Sequence, residues 1–118
     1  MIMIMNPTHL PLDWTFLNTL AEQDPEFAQE LLKIYFEDGQ SCLQRLIQAI
    51  ETENYDLLYS MAHYLTGASS NVGAIHIVTY ARKLEELAHQ KEIGNAMDLV
   101  QLIQSDFQKI QELLIPGF

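Results

Sequence analysis

Apolar residues recur along most of the chain at intervals of three and four, the spacing of one helix face. A short amphipathic segment runs from Leu12 to Leu20, opening after Pro11. Asp24-Pro25-Glu26 then reads as a helix start, with a capping Asp, Pro in the first turn and an acid behind it. Helical spacing follows through Phe27, Leu31, Ile34, Tyr35, Leu43, Leu46, Ile47 and Ile50, and Gly39 interrupts it as a candidate kink. Asn54 is placed to cap a third helix that runs to about Ser70, and Asn71-Val72-Gly73 reads as a turn. A fourth helix covers roughly residues 74–90, and Gly94-Asn95 breaks the pattern again. The last helix spans about residues 96–114 through Met97, Leu99, Val100, Ile103, Phe107, Ile110 and Leu114, with Pro116-Gly117 to end it. No segment alternates with period two for long enough to be a strand. Four long helices with short links predict an all-α, up-and-down four-helix bundle, with an additional short N-terminal helix across one end or side.

The chain's 118 residues, 48% of them hydrophobic, suit one bundle domain over 1–118, with 1–11 a flexible or capping segment. Six Lys and Arg stand against sixteen Asp and Glu, a formal charge of -10. Such a surface repels phosphate backbones and anionic lipid, so neither nucleic acid nor a membrane surface is an expected partner. The apolar start, Met1 to Met5, has no basic flank and is too short for a signal peptide or a span. Cys42 is the one cysteine, which excludes an internal disulfide and a cysteine-based metal site. A reducing, cytoplasmic setting is the expectation.

The third helix is the informative one. With Met61 taken as core-facing, Leu57, Leu58, Tyr64, Leu65 and Ala68 fall within about 60° of it and form the expected buried stripe. His63 lies about 160° away, among Tyr59, Thr66, Gly67 and Ser70. His63 is therefore expected in solvent, with Gly67 one turn beyond. A mid-helix Gly costs about 1 kcal/mol relative to Ala. Its return would be a bare patch beside the histidine where another surface can approach.

The run Met61-Ala62-His63-Tyr64-Leu65-Thr66-Gly67-Ala68-Ser69-Ser70-Asn71-Val72-Gly73-Ala74 resembles the motif of histidine-containing phosphotransfer (HPt) domains. His63, Leu65, Gly67, Ser69, Gly73 and Ala74 match in register. Leu12-Asp13, Leu31-Leu32, Phe36, Leu43, Leu46 and Asp56-Leu57 extend the likeness outward. The resemblance implies a four-helix bundle whose exposed His63 accepts a phosphoryl group and relays it between Asp residues of receiver domains. It implies no kinase activity of its own, no cofactor or metal on this chain, and Mg²⁺ on the partner receiver. Receivers of response regulators or hybrid sensor kinases are the implied partners, and a monomer is expected. Histidine's ordinary pKa of about 6.5 leaves a neutral, nucleophilic imidazole near pH 7.

The family's usual Lys or Arg three residues after the histidine is here Thr66. A cation there would offset the phosphate's charge of about -2, whereas a hydroxyl offers one donor. Thr66→Lys is accordingly expected to lengthen the life of the phosphohistidine. Glu85 falls about 40° from Ala81 on the fourth helix, near the core edge. It either orients the His63 ring or is a rim carboxylate without a role, the plainer reading. Trp14, Phe16 and Leu17 of the first helix either cap the bundle or leave an apolar docking face, for which Leu12 and Phe16 are the candidates. The alternative function is a phosphate-independent module that binds a receiver or sensor kinase. A di-iron bundle is disfavoured, because Glu86-Leu87-Ala88-His89 supplies one Glu-x-x-His motif where two are needed. His9, His76 and His89 show no partner spacing.

Overall fold

The structure is a computed structural model that describes residues 14–114, with side-chain surroundings for 19–112. The described residues form α1 (Trp14–Gln23), α2 (Pro25–Glu51), α3 (Tyr55–Val72), α4 (Ile75–His89) and α5 (Ala96–Leu114). Consecutive helices pack on one another and α2 also meets α5, which closes an up-and-down bundle with α1 laid on α2. Among the described residues there is no strand, and no helix is long and apolar enough to cross a membrane.

Local chemistry sets the helix ends. Asp24 Oδ1 accepts from Phe27 N at 3.0 Å, with Pro25 in the first turn of α2. Asn54 Oδ1 accepts from Leu57 N at 3.1 Å and starts α3. Gly73, at φ 74°, closes α3 in the left-handed region that glycine enters at no steric cost, and Ala74 N then reaches back to Ser69 O at 2.9 Å. α3 thus runs through Asn71 and Val72, where a turn was expected.

Leu32, Leu46, Leu58, Leu65, Ile77, Leu84, Ile103 and Ile110 fill the core. Tyr35, Phe36 and Phe107 form an aromatic cluster, with ring centroids 5.1 Å apart for Tyr35 and Phe107. α2 runs unbroken through Gly39, which makes room for Phe107. A Cβ at Gly39 would stand 2.4 Å from Phe107 Cζ. The core stripe of α3 also differs from expectation. It is Leu58, Ala62, Leu65, Ser69 and Val72, while Met61, Leu57 and Ala68 are half-buried and Tyr64 is exposed. The buried face is rotated by about 60° from Met61. Small Ala62 and polar Ser69 form its side farthest from Met61, about 80–100° around the helix, and neither stands out in a search for large apolar residues. Ser69 is accommodated because its Oγ lies 2.7 Å from the Tyr35 hydroxyl. Burial pushes the Tyr35 phenol well above its ordinary range, so it stays protonated and able to donate.

Candidate functional site

The antiparallel packing of α3 and α4 brings Glu85 onto the exposed rim where His63 sits. His63 is 70% exposed, and its Nδ1 lies 2.7 Å from Glu85 Oε1, a carboxylate only 17% exposed. The other oxygen, Glu85 Oε2, is 2.9 Å from Thr66 Oγ1. Thr66 Oγ1 is also 2.9 Å from the Ala62 carbonyl, so one hydroxyl proton serves two acceptors. Thr66 is therefore half-buried and turned to α4, rather than standing free in the expected exposed group.

An ionised carboxylate only accepts hydrogen bonds. Nδ1 of His63 accordingly carries the proton and donates it to Glu85, which leaves the Nε2 lone pair facing outward. The Tyr59 ring lies beside the imidazole, with planes 6° apart and centroids 5.8 Å apart. Glu85 and Tyr59 thus restrain the ring from two sides. Tyr59, Gly67 and Ser70 are exposed, as the helical wheel of α3 indicates. A Cβ on Gly67 would meet nothing within 4 Å among the described residues, so their packing does not require glycine there. The open space beside His63 is available to a partner.

Leu12 and the side chain of Phe16 lie outside the described residues, as do His9 and the side chains of Trp14 and Leu17. The apolar surface that is described beside His63 lies elsewhere, between α2 and α3. Ile34 and Tyr64, both about half exposed, line it, and Tyr64 Oη donates to Asp38 Oδ2 across it. The sequence reading missed both residues. Tyr64 falls within the stripe drawn around Met61, and in the sequence Ile34 is one more residue of the helical period.

The remaining candidates sit apart. Glu86 and His89 are exposed, and among the described residues no three His, Cys, Asp or Glu side chains are grouped to hold a metal ion. Cys42 is buried, its Sγ 3.3 Å from Met61 O. Burial and the nearby Asp38 push its thiol up to about 11, partly offset by Arg45, so it is a packing residue at neutral pH. His76 is half exposed, with Nδ1 3.8 Å from Asp106 Oδ2 on α5, well away from the His63 rim.

Known proteins place this geometry. Residues 30–113 match the family model of the Hpt domain. Histidine-containing phosphotransfer protein 2 of Arabidopsis thaliana is 25% identical over 109 residues, covering 87% of this chain and 70% of that protein. Histidine-containing phosphotransfer protein 1 of Oryza sativa subsp. japonica is 24% identical over 89 residues, covering 74% of this chain. The chain spans 60% of the rice protein's length. Among solved structures, histidine-containing phosphotransfer protein B (HptB) from Pseudomonas aeruginosa PAO1 superposes with a TM-score of 0.80 at 29% identity, covering 86% of this chain and 89% of that one. The HPT domain of an Hpt sensor hybrid histidine kinase from Shewanella shares the fold, with a TM-score of 0.63 at 19% identity over 89% of this chain and 97% of that one. With the family's motif centred on an exposed, carboxylate-held histidine, the chain belongs to the Hpt domain family, the histidine phosphotransfer modules of two-component signalling.

Proposed function

We propose that the chain is a cytoplasmic, monomeric relay that moves a phosphoryl group between receiver Asp residues through phosphohistidine at His63. The observation that carries this reading is the pairing of His63 Nδ1 with Glu85 Oε1 at 2.7 Å, which leaves Nε2 free as the nucleophile. In the accepting step the Nε2 lone pair attacks the phosphorus of a partner's aspartyl phosphate. The Nε2–P bond forms as the P–O bond to the Asp carboxylate breaks, and the carboxylate leaves with the electron pair. No proton moves, because Nδ1–H stays on the ring. The positive charge that the ring gains is met by Glu85. The donating step is the reverse, toward a second receiver's Asp. Mg²⁺, held by the partner receiver, would neutralise phosphoryl oxygens during the in-line transfer. The chain itself contributes positioning: it holds the ring, sets the tautomer and leaves Gly67 bare for approach.

The test is transfer from a phosphorylated receiver in the presence of Mg²⁺, comparing the native chain with His63→Ala. Acid-labile, base-stable label on the native chain alone is the expected result. No label on the native chain across several receivers, with the fold verified, points instead to a module that binds without carrying phosphate.

A further inference from the structure

The groove between α2 and α3 is a cavity of about 460 Å³ that opens beside the reacting histidine. Leu31, Ile34 and Asp38 line it from α2, and His63, Tyr64 and Gly67 from α3. Its wall is apolar apart from a few groups, of which Asp38 is the charged one on the α2 side. Asp38 and Tyr64 also line a second, smaller concavity toward Ser41 and Arg45, so their hydrogen bond divides one hollow from the other. Among the described residues Asp38 has Tyr64 as its hydrogen-bond partner and no ion pair within 4 Å.

A surface that docks over His63 covers Asp38 and takes its carboxylate out of water. One phenolic donor does not satisfy an ionised carboxylate with two oxygens. A charge desolvated without a counter-ion weakens binding, whereas a partner cation at hydrogen-bond distance offsets that loss. The chain has six Lys and Arg against sixteen acids, so it has few cations of its own to spare. We propose that Asp38 is a specificity-determining residue. It admits receivers whose docking surface brings a Lys or Arg to this point between apolar side chains that seat on Leu31 and Ile34. It rejects those that bring an acid or leave it unpaired. The proposal rests on the relay reading above and names the chemistry of the partner in that relay.

The experiment uses the full chain with Asp38→Asn, Asp38→Lys and Tyr64→Phe. Two phosphodonors are compared: phosphoramidate, which needs no docked protein, and a panel of phosphorylated receivers with Mg²⁺. For receivers that the native chain accepts, kcat/KM falls in the order native, Asp38→Asn, Asp38→Lys, by about tenfold or more for the last. Labelling by phosphoramidate stays at the native rate in all three. Reversing the receiver's basic residue to Glu restores transfer to Asp38→Lys and impairs it to the native chain. Tyr64→Phe, which leaves the carboxylate in place, keeps the native order of preference among receivers. Unchanged kcat/KM in Asp38→Lys overturns the proposal, as does an equal loss against every receiver that no charge swap repairs. Failure of the native chain to take label from either donor overturns the relay reading itself, and is distinct from both.

Discussion

A histidine attacks through one ring nitrogen at a time, and the Glu85 carboxylate selects Nε2 by accepting a hydrogen bond from Nδ1–H, which keeps the proton on that nitrogen. Charge-assisted hydrogen bonds of this kind are roughly twice as strong as neutral ones. Glu85→Gln keeps an acceptor for Nδ1–H and loses the charge; Glu85→Ala loses both. Transfer to His63 should therefore slow by about tenfold in Gln and further in Ala, since each 1.4 kcal/mol of barrier is about a factor of ten. Initial transfer rates from one phosphorylated receiver measure this, and equal rates for all three proteins would reduce Glu85 to a rim carboxylate. A second residue makes a prediction about pH. Asp106 is buried on α5, and its Oδ2 has no hydrogen-bond partner among the described residues. Burial raises its pKa, and His76 and Lys109 offset this only in part. The folded protein thus holds this proton more tightly than the unfolded chain, whose Asp pKa is about 3.9. The contribution to stability is present below that value and is lost as pH rises through the folded pKa. Asp106→Asn should melt higher than the native protein at pH 7, with the gap closing as pH approaches about 4. A gap independent of pH would place the effect in packing.

Two helical glycines look alike in the sequence and do opposite things in the fold. Gly39 of α2 and Gly67 of α3 each cost their helix about 1 kcal/mol relative to Ala. At Gly39 the space for a Cβ is occupied by the Phe107 ring, and at Gly67 none of the described residues enters it. Gly39→Ala should lower the melting temperature, because the α2–α5 contact must open. Gly67→Ala should raise it by the helix propensity gained while slowing transfer from a receiver. Thermal melts and transfer rates on the same two proteins check the pair. A faster or unchanged transfer in Gly67→Ala would remove the close-approach account. These elements also show what the sequence made legible. Caps at Asp24 and Asn54 were readable because the chemistry is local: a side chain bonds an N–H three residues on. The exposure of His63 survived an error of about 60° in the wheel of α3, because the histidine lies far from either version of the core stripe. Tyr64 did not survive it. Glu85 could not be resolved from one strip of sequence, since its meeting with His63 depends on the register between two helices. The fit of Gly39 to Phe107 depends likewise on residues 68 positions apart.

Across the whole molecule the dominant electrostatic fact is the surplus of ten negative charges. On α2, the helix that forms one wall of the groove beside His63, the exposed acids include Glu26, Glu30, Glu37 and Asp38. A field of this sign speeds encounter with a basic docking surface and slows encounter with an acidic one. The screening length is about 10 Å at 0.1 M salt and about 3 Å at 1 M, so long-range steering fades over that range. The Glu85 contact with His63, at 2.7 Å, lies within even the shorter length and is largely spared. Salt should therefore separate docking from chemistry. With an efficient receiver, kcat/KM should fall by about tenfold between 0.05 and 0.5 M salt. The rate of transfer within the preformed complex should change little, and so should the half-life of isolated phosphohistidine. Stopped-flow transfer at limiting and saturating receiver measures the first two, and loss of label after receiver removal measures the third. A constant kcat/KM over that range would mean that the acidic surface plays no part in recruiting the partner, and that the surplus charge serves solubility alone.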